Sequence, residues 1–180
     1  KNRGVTYCAT CDGPIFNGKA VAIIGGGNAG LEVALQMTRI ASKVYLIEKL
    51  PKLIADKILR DKLMEEKKAE IVVGTEVTRI YGDNFVTGIG IKNTEGIERI
   101  LPVEGVLVEI GSIPNSGIID GVAKNRFGEI IVNCSAETSL PGLFAAGDVT
   151  NVYKKQLIIA CGEGAKAAIA ASEYLDFHQG

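Results

Sequence analysis

The sequence predicts an α/β fold: a parallel sheet flanked by helices, with a β-meander added to make a three-layer ββα sandwich. Two observations carry that prediction. Strand-sized apolar runs alternate with helix-spaced segments between residues 19 and 73, which builds a parallel sheet. The apolar period then shortens to two between residues 77 and 101, the pattern of antiparallel strands.

The elements follow in order. Residues 19–24 are a short apolar run ending at Gly25-Gly26-Gly27, as a buried parallel strand ends. From residue 28 to 41 the apolar positions Leu31, Ala34, Leu35 and Ile40 take helical spacing. Residues 44–47 form a second strand closed by Glu48. Residues 56–67 form a polar amphipathic helix with Ile58, Leu59, Leu63 and Met64 inward, and residues 70–73 a third strand, which completes a right-handed unit. Segments 77–81, 85–92 and 97–101 alternate and are separated by Gly82-Asp83-Asn84 and Asn93-Thr94-Glu95-Gly96, compositions that hairpins use. Residues 106–110, apolar at every position but Glu109, are expected to rejoin the parallel sheet. Beyond a boundary near Gly111-Ser112-Ile113-Pro114, strands are expected at 129–132 and 143–146, and an Ala-rich helix at 156–174. The domain bounds expected are 1–113 and 114–180.

Composition narrows the function classes. Hydrophobic residues make up 47% and charged residues 23%, which excludes a disordered chain. The net charge of −1 comes without long runs of one sign, so neither nucleic acid nor an anionic membrane surface is an expected partner. The apolar runs fall short of the ~20 residues that a membrane helix needs. Four cysteines are too few for a disulfide framework, and a reducing compartment, the cytoplasm, fits them.

Gly25-x-Gly27-x-x-Gly30 follows a strand and opens a helix. Its glycines suit a tight turn, close approach of backbone to a pyrophosphate and close helix–strand packing, with Asn28 and Ala29 at the helix start that receives the phosphates. Glu48 falls 18 residues after Gly30, near the spacing of an acid that binds a ribose 2′-hydroxyl. The sheet is therefore expected to be Rossmann-like. A carboxylate there repels a 2′-phosphate, so NAD(H) is expected in preference to NADP(H), although Lys49 and Lys52 place cations nearby.

Cys8-Ala-Thr-Cys11 is a dithiol or disulfide candidate, and the adjacent Asp12 can move a proton to or from a thiolate. The alternative, half a zinc site, needs two further ligands; Cys134 and Cys161 stand alone and the single His, His178, is in the tail, so no metal is expected. Cys134 and Cys161 are expected to be small buried apolar residues, and His178 a solvated one.

Four motifs in order, Cys8-Ala-Thr-Cys-Asp-Gly13, Gly25-Gly-Gly-Asn-Ala-Gly30, Ile110-Gly-Ser-Ile-Pro-Asn115 and Leu143-Phe-Ala-Ala-Gly-Asp148, resemble the low-molecular-weight thioredoxin reductase family, which includes the flavoprotein subunit of alkyl hydroperoxide reductases. Cys11-Asp-Gly-Pro14 and the segment from Gln156 to Lys166 resemble that peroxide-reductase branch most. The resemblance implies an FAD enzyme that passes electrons from nicotinamide to flavin, then to a Cys8–Cys11 disulfide, then to the disulfide of a thioredoxin-like or peroxiredoxin-system partner. It gives Cys11 the flavin-facing role, Cys8 the attack on the partner, and Asp12 the acid/base role. Ile110 and Gly111 join the NAD contacts; Gly147, Asp148, Lys155, Gln156 and Leu157 match the FAD contacts. The implied full-length protein is a homodimer whose nucleotide domain rotates against its FAD domain, with residues 111–114 as the hinge.

Two departures stand out. NADPH-using members carry His-Arg-Arg after the second strand and another Arg shortly after, where this chain has Glu48, Lys49, Leu50 and Ile54. The family's FAD domain also begins with its own Gly-rich fingerprint, whereas this chain has one G-x-G-x-x-G and opens Lys1-Asn2-Arg3 without Met. The expectation is a fragment holding the nucleotide domain and the C-terminal remnant of a second dinucleotide-binding domain, itself inactive. Two other readings remain: a non-catalytic NAD-binding or redox-sensing module, and a flavin disulfide reductase driven by ferredoxin.

Overall fold

The structure, a computed structural model, describes residues 3–178; Lys1 and Asn2 of the opening tripeptide lie outside the described residues. Cα proximity divides the chain into two compact units, Lys1–Gly111 and Ser112–Gly180.

In the first unit, β1 (Val5–Thr6) leads into a single helical turn α1 (Ala9–Asp12) and a 3₁₀ turn Gly13–Phe16. β2 (Ala20–Ile24), α2 (Asn28–Thr38), β3 (Lys43–Ile47), α3 (Lys57–Met64) and β4 (Ala69–Val72) follow, then the meander β5 (Thr75–Tyr81), β6 (Gly88–Asn93) and β7 (Glu98–Leu101), and β8 (Gly105–Val108). The five-stranded sheet runs β1-β8-β2-β3-β4, all parallel, and the meander is a separate antiparallel sheet in the order β5-β6-β7. The segment expected at 106–110 thus rejoins the parallel sheet as Gly105–Val108, with Val108 level with Ile24 and Glu109 and Ile110 beyond the strand. The fold is mixed α/β with a Rossmann-like sheet.

Strand alternation sorts the two cores. Val21 and Ile23 face the helices and pack with Leu31, Ala34 and Met37 of α2 and Leu63 of α3; Ala22 and Val106 face the meander and pack with Ile89, Ile91 and Leu101. Full burial of a side chain such as Leu31 or Met37 contributes about 2–3 kcal/mol. Phe16, also buried, occupies the room that Gly105 leaves: a Cβ on Gly105 would come within 2.5 Å of its ring. That contact pins the segment following Cys11 to the sheet.

Three features depart from the sequence expectations. Ile58 and Met64 of α3 are exposed, because an eight-residue helix reaches the core through Leu63 with Leu59 partly covered. β1 carries no sequence signal, since two residues are too few for a readable period. In the second unit, residues 129–132 and 143–146 form isolated bridges, Ile130 with Lys124 and Thr150 and Phe144 with Glu137, rather than strands, each pairing at a single position. Side chains hold that unit's loops: Asn125 and Asn133 each accept several backbone N–H groups through Oδ1. Its helix α4 (Leu157–His178) has no buried residue. Among the described residues no helix is long and apolar enough to cross a membrane.

Candidate functional site

The carboxyl ends of β2, β3 and β8 enclose a cavity of about 610 Å³ lined by Gly25, Gly26, Gly27, Asn28, Ala29, Glu48, Lys49, Ile110 and Gly111, with Thr75, Glu76 and Glu109 beside them. Of the expected NAD(H) contacts, Gly30 alone is missing from that lining; it lies beneath the turn. Each motif glycine is required for a different reason. Gly25 has φ +120°, and a Cβ there would sit 2.3 Å from the Glu109 carbonyl oxygen. A Cβ on Gly30 would sit 1.9 Å from the Gly25 carbonyl oxygen, so α2 can start against β2 only if residue 30 has no side chain. Gly27 has no neighbour within 4 Å of its Cβ position. It caps α2 without a side-chain acceptor, which leaves the N–H groups of the first turn for a ligand. An open backbone of this kind, beside a helix start, fits a dinucleotide pyrophosphate.

Glu48 is buried rather than a surface acid. Its Oε2 accepts the Gly26 N–H at 2.5 Å and its Oε1 accepts the Leu50 N–H at 2.7 Å. The carboxylate thereby fixes the glycine turn against the end of β3, and Glu48 lines the cavity, where a ribose hydroxyl can donate to a carboxylate. Lys49 is bound to Glu76 at 2.9 Å, and this ammonium holds the Glu76 carboxyl below the usual range. Asn28 exchanges two hydrogen bonds with Asp56, Nδ2 to Oδ2 at 2.9 Å and the Asp56 N–H to Oδ1 at 2.8 Å, which ties the start of α2 to that of α3. Asn28 also lines the cavity.

Cys8 and Cys11 form a disulfide with Cα atoms 5.3 Å apart. Cys8 caps α1, and its Sγ accepts the Cys11 N–H at 3.1 Å. Cys11 is the more exposed of the two. Asp12 Oδ2 accepts a hydrogen bond from the buried Thr6 hydroxyl, whose oxygen in turn accepts the Cys8 N–H at 3.2 Å. Sequence reasoning misses Thr6, because a lone Thr two residues before a cysteine carries no signal. Because β1 and β2 are parallel with β8 between them, the redox turn and the glycine turn leave the same edge of the sheet, two strand spacings or about 10 Å apart.

In the second unit, Gly147 (φ +77°) is buried against Ala160 of α4, and its carbonyl accepts both the N–H and the hydroxyl of Thr150. Asp148 is exposed on that turn. Lys155 is bound to Glu129 at 3.0 Å and to the Thr150 carbonyl, while Gln156 is half-buried and Leu157 exposed at the start of α4. The five residues share one segment. An exposed carboxylate on a glycine turn fits a polyol chain, from which it can accept hydrogen bonds, as in the ribityl part of a flavin. Cys134 and Cys161 are both exposed, contrary to expectation: one lies in a turn, the other on a helix without a buried face. His178 is exposed and stacks on Tyr174.

Residues 1–171 match the family model described as pyridine nucleotide-disulphide oxidoreductase. The F subunit of alkyl hydroperoxide reductase from Escherichia coli is 44% identical over 178 residues, covering 97% of this chain and 34% of that protein. An NADH dehydrogenase of Bacillus subtilis is 45% identical over 177 residues, covering 97% and 35%. Among solved structures, thioredoxin reductase from Streptococcus pyogenes superposes with a TM-score of 0.90 at 33% identity, covering 97% of this chain and 58% of that one. The chain thus spans about a third of the length of these curated relatives. A cavity at a glycine turn, a neighbouring Cys-x-x-Cys disulfide and a family match over nearly the whole length agree: the chain belongs to the pyridine nucleotide-disulphide oxidoreductases.

Proposed function

We propose that the protein carrying this chain is a flavin-dependent disulfide reductase that uses NADH and passes electrons through Cys8–Cys11 to the disulfide of a peroxiredoxin-system or thioredoxin-like partner. The observation that carries this reading is the placement of a dinucleotide cradle and a redox disulfide on one sheet edge. The FAD to which Asp148 and its neighbours would bind supplies the two-electron relay between nicotinamide and disulfide. Reduction of Cys8–Cys11 consumes two electrons and two protons and yields two thiols. Cys11, the exposed member, is the one reduced from the flavin side, and Cys8 attacks the partner; the Cys11 N–H aimed at Cys8 Sγ supports negative charge on that sulfur once the bond opens. Asp12, held by Thr6, delivers or removes the proton.

The choice of NADH rests on charge. Glu48 lines the cavity, its one cation among the described residues, Lys49, is paired with Glu76, and Lys52 does not line it, so no cation there is free to meet a 2′-phosphate. Residues 1–113 act as the NAD(H)-binding domain and 114–180 as part of an FAD-binding domain, in a homodimeric, cytoplasmic protein. The exposed thiols of Cys134 and Cys161 fit a compartment that keeps thiols reduced. On its own the 180-residue chain binds nucleotide, retains little flavin and does not turn over. Calorimetric titration of the chain with NADH and with NADPH tests this: NADH binds at least tenfold more tightly. Equal or tighter NADPH binding overturns the cofactor assignment. Binding of neither overturns the nicotinamide reading, as a ferredoxin-driven enzyme would.

A further inference from the structure

Three carboxylates line the nucleotide cavity, and they differ in what holds them. Glu48 accepts two backbone N–H groups and Glu76 is paired with Lys49. Glu109 has neither: among the described residues no donor or cation meets its side chain, although its own N–H is bound to the Ile24 carbonyl at 2.8 Å. It follows directly on β8, level with Gly25, so its backbone oxygen is the atom that forbids a side chain at Gly25, and its Cβ lies 3.8 Å from where a Cβ on Gly30 would be. β2 continues to β3 on one side while β8 and β1 lie on the other. The crevice between the ends of β2 and β8 is therefore the point at which an open α/β sheet binds its ligand, and Glu109 stands in it.

We propose that Glu109 is a dinucleotide contact that engages its ligand as the neutral acid, donating its carboxyl hydrogen to a pyrophosphate oxygen, so that the nucleotide binds together with one proton. The proposal rests on the reading of this cavity as a pyridine-dinucleotide site. An ionised, unpaired carboxylate beside the glycine turn would repel the phosphates that the start of α2 attracts. Protonation removes the repulsion and supplies a donor. Burial already pushes the Glu109 carboxyl above the usual range in the free protein, and the added phosphate charge pushes it further. The charged groups that share the cavity are Glu48, Glu76 and Lys49; of these, the Lys49–Glu76 pair is neutral in sum. The linkage has one sign. Affinity is greatest at acidic pH and falls as pH rises above the free-state value of Glu109, by up to tenfold per unit, until the bound-state value is passed.

The test is calorimetry of NAD⁺, which is stable in mild acid, binding to the full 180-residue chain and to Glu109→Gln between about pH 5 and 8.5. Running each titration in two buffers of different ionisation enthalpy counts the protons taken up. The wild-type chain should take up a fraction of a proton approaching one and lose affinity tenfold or more across the range. E109Q should take up none, bind with affinity constant to within about threefold, and match or exceed the wild type at about pH 8. Wild-type binding without proton uptake overturns the proposal, as does the same uptake in both proteins. Weaker binding by E109Q at every pH also overturns it, and assigns Glu109 as an ionised acceptor for a hydroxyl. If neither protein binds NAD⁺ at any pH, the dinucleotide reading itself fails and takes this one with it.

Discussion

The two glycine turns of this chain show how differently two sites can be held. The Gly25–Gly30 turn sits between continuous parallel ladders, and the atoms that crowd Gly25 and Gly30 are backbone, the Glu109 and Gly25 carbonyl oxygens, while the Glu48 carboxylate holds the Gly26 N–H. The Gly147–Asp148 turn sits in a unit with isolated bridges, and side chains brace it: the Thr150 hydroxyl joins the Thr150 N–H on the Gly147 carbonyl, and Lys155 holds the Thr150 carbonyl and Glu129. A backbone clamp cannot yield by changing rotamer, whereas a side-chain clamp can. A side chain added against backbone in the first turn should therefore be costly, and loss of a bracing side chain at the second mild.

The largest effect belongs to Gly30. Gly30→Val places a Cβ 1.9 Å from a carbonyl oxygen that has nowhere to move, and the expected loss is about 3–5 kcal/mol, read as a drop in Tm of about 10–20 °C. Gly27→Ala provides the contrast, because its Cβ enters open space at an ordinary negative φ. Its Tm should stay within about 3 °C, while affinity for NADH falls about tenfold or more as the methyl fills the cradle. A stable G30V chain would break the distinction between the two turns.

Next in size is Glu48→Ala, which leaves the Gly26 and Leu50 N–H groups without an acceptor at a buried site, for about 2–4 kcal/mol in urea unfolding. Glu48→Gln keeps one acceptor oxygen and should lose roughly half of that. Thr6→Val follows. It removes the donor to Asp12 and the acceptor for the Cys8 N–H without changing shape, and should cost about 1–2 kcal/mol. Thr6→Ser, which retains the hydroxyl, should recover most of the loss; a Ser variant no better than Val would mean that the methyl group, not the hydrogen bonds, anchors the redox turn.

The same difference between the regions sets how much of the molecule is legible in the sequence. Where a ladder repeats, its period is written in the residues: the run Ala20–Ile24, the glycine turn and α2 can be placed to within a few residues, and so can Glu48. Its buried, doubly bonded carboxylate cannot, since burial is decided by how β3 ends against the turn. Glu109 is hidden for the opposite reason: it interrupts the apolar run 106–110 and reads as the edge of a strand. Residues 129–132 and 143–146 have strand composition, but a strand exists only with a partner, and composition does not reveal the partner. Cys134 and Cys161 escape the expectation of burial because small apolar character says nothing about whether a face is covered.

The smallest effect, and the one that separates the regions by pH, lies at Lys155. Its ammonium contacts Glu129 at 3.0 Å, with both side chains partly exposed, so Lys155→Met should cost below about 1 kcal/mol at neutral pH. The Glu129 carboxyl is held below the usual range, first by the Asn125 side-chain N–H and then by Lys155. A carboxyl lowered in the folded state contributes stability above its unfolded value, about 4.3, and loses it as pH falls through the lower folded value. The difference between wild type and K155M should therefore be steady from about pH 7 to 5, shrink as pH falls below about 4.3 and vanish only once pH is below the folded value. Gly30→Val titrates nothing, and its deficit should persist through the same range. If the K155M deficit also persisted in acid, Lys155 would be acting through its packing or its bond to the Thr150 carbonyl, and the second turn would be braced independently of the Glu129 charge.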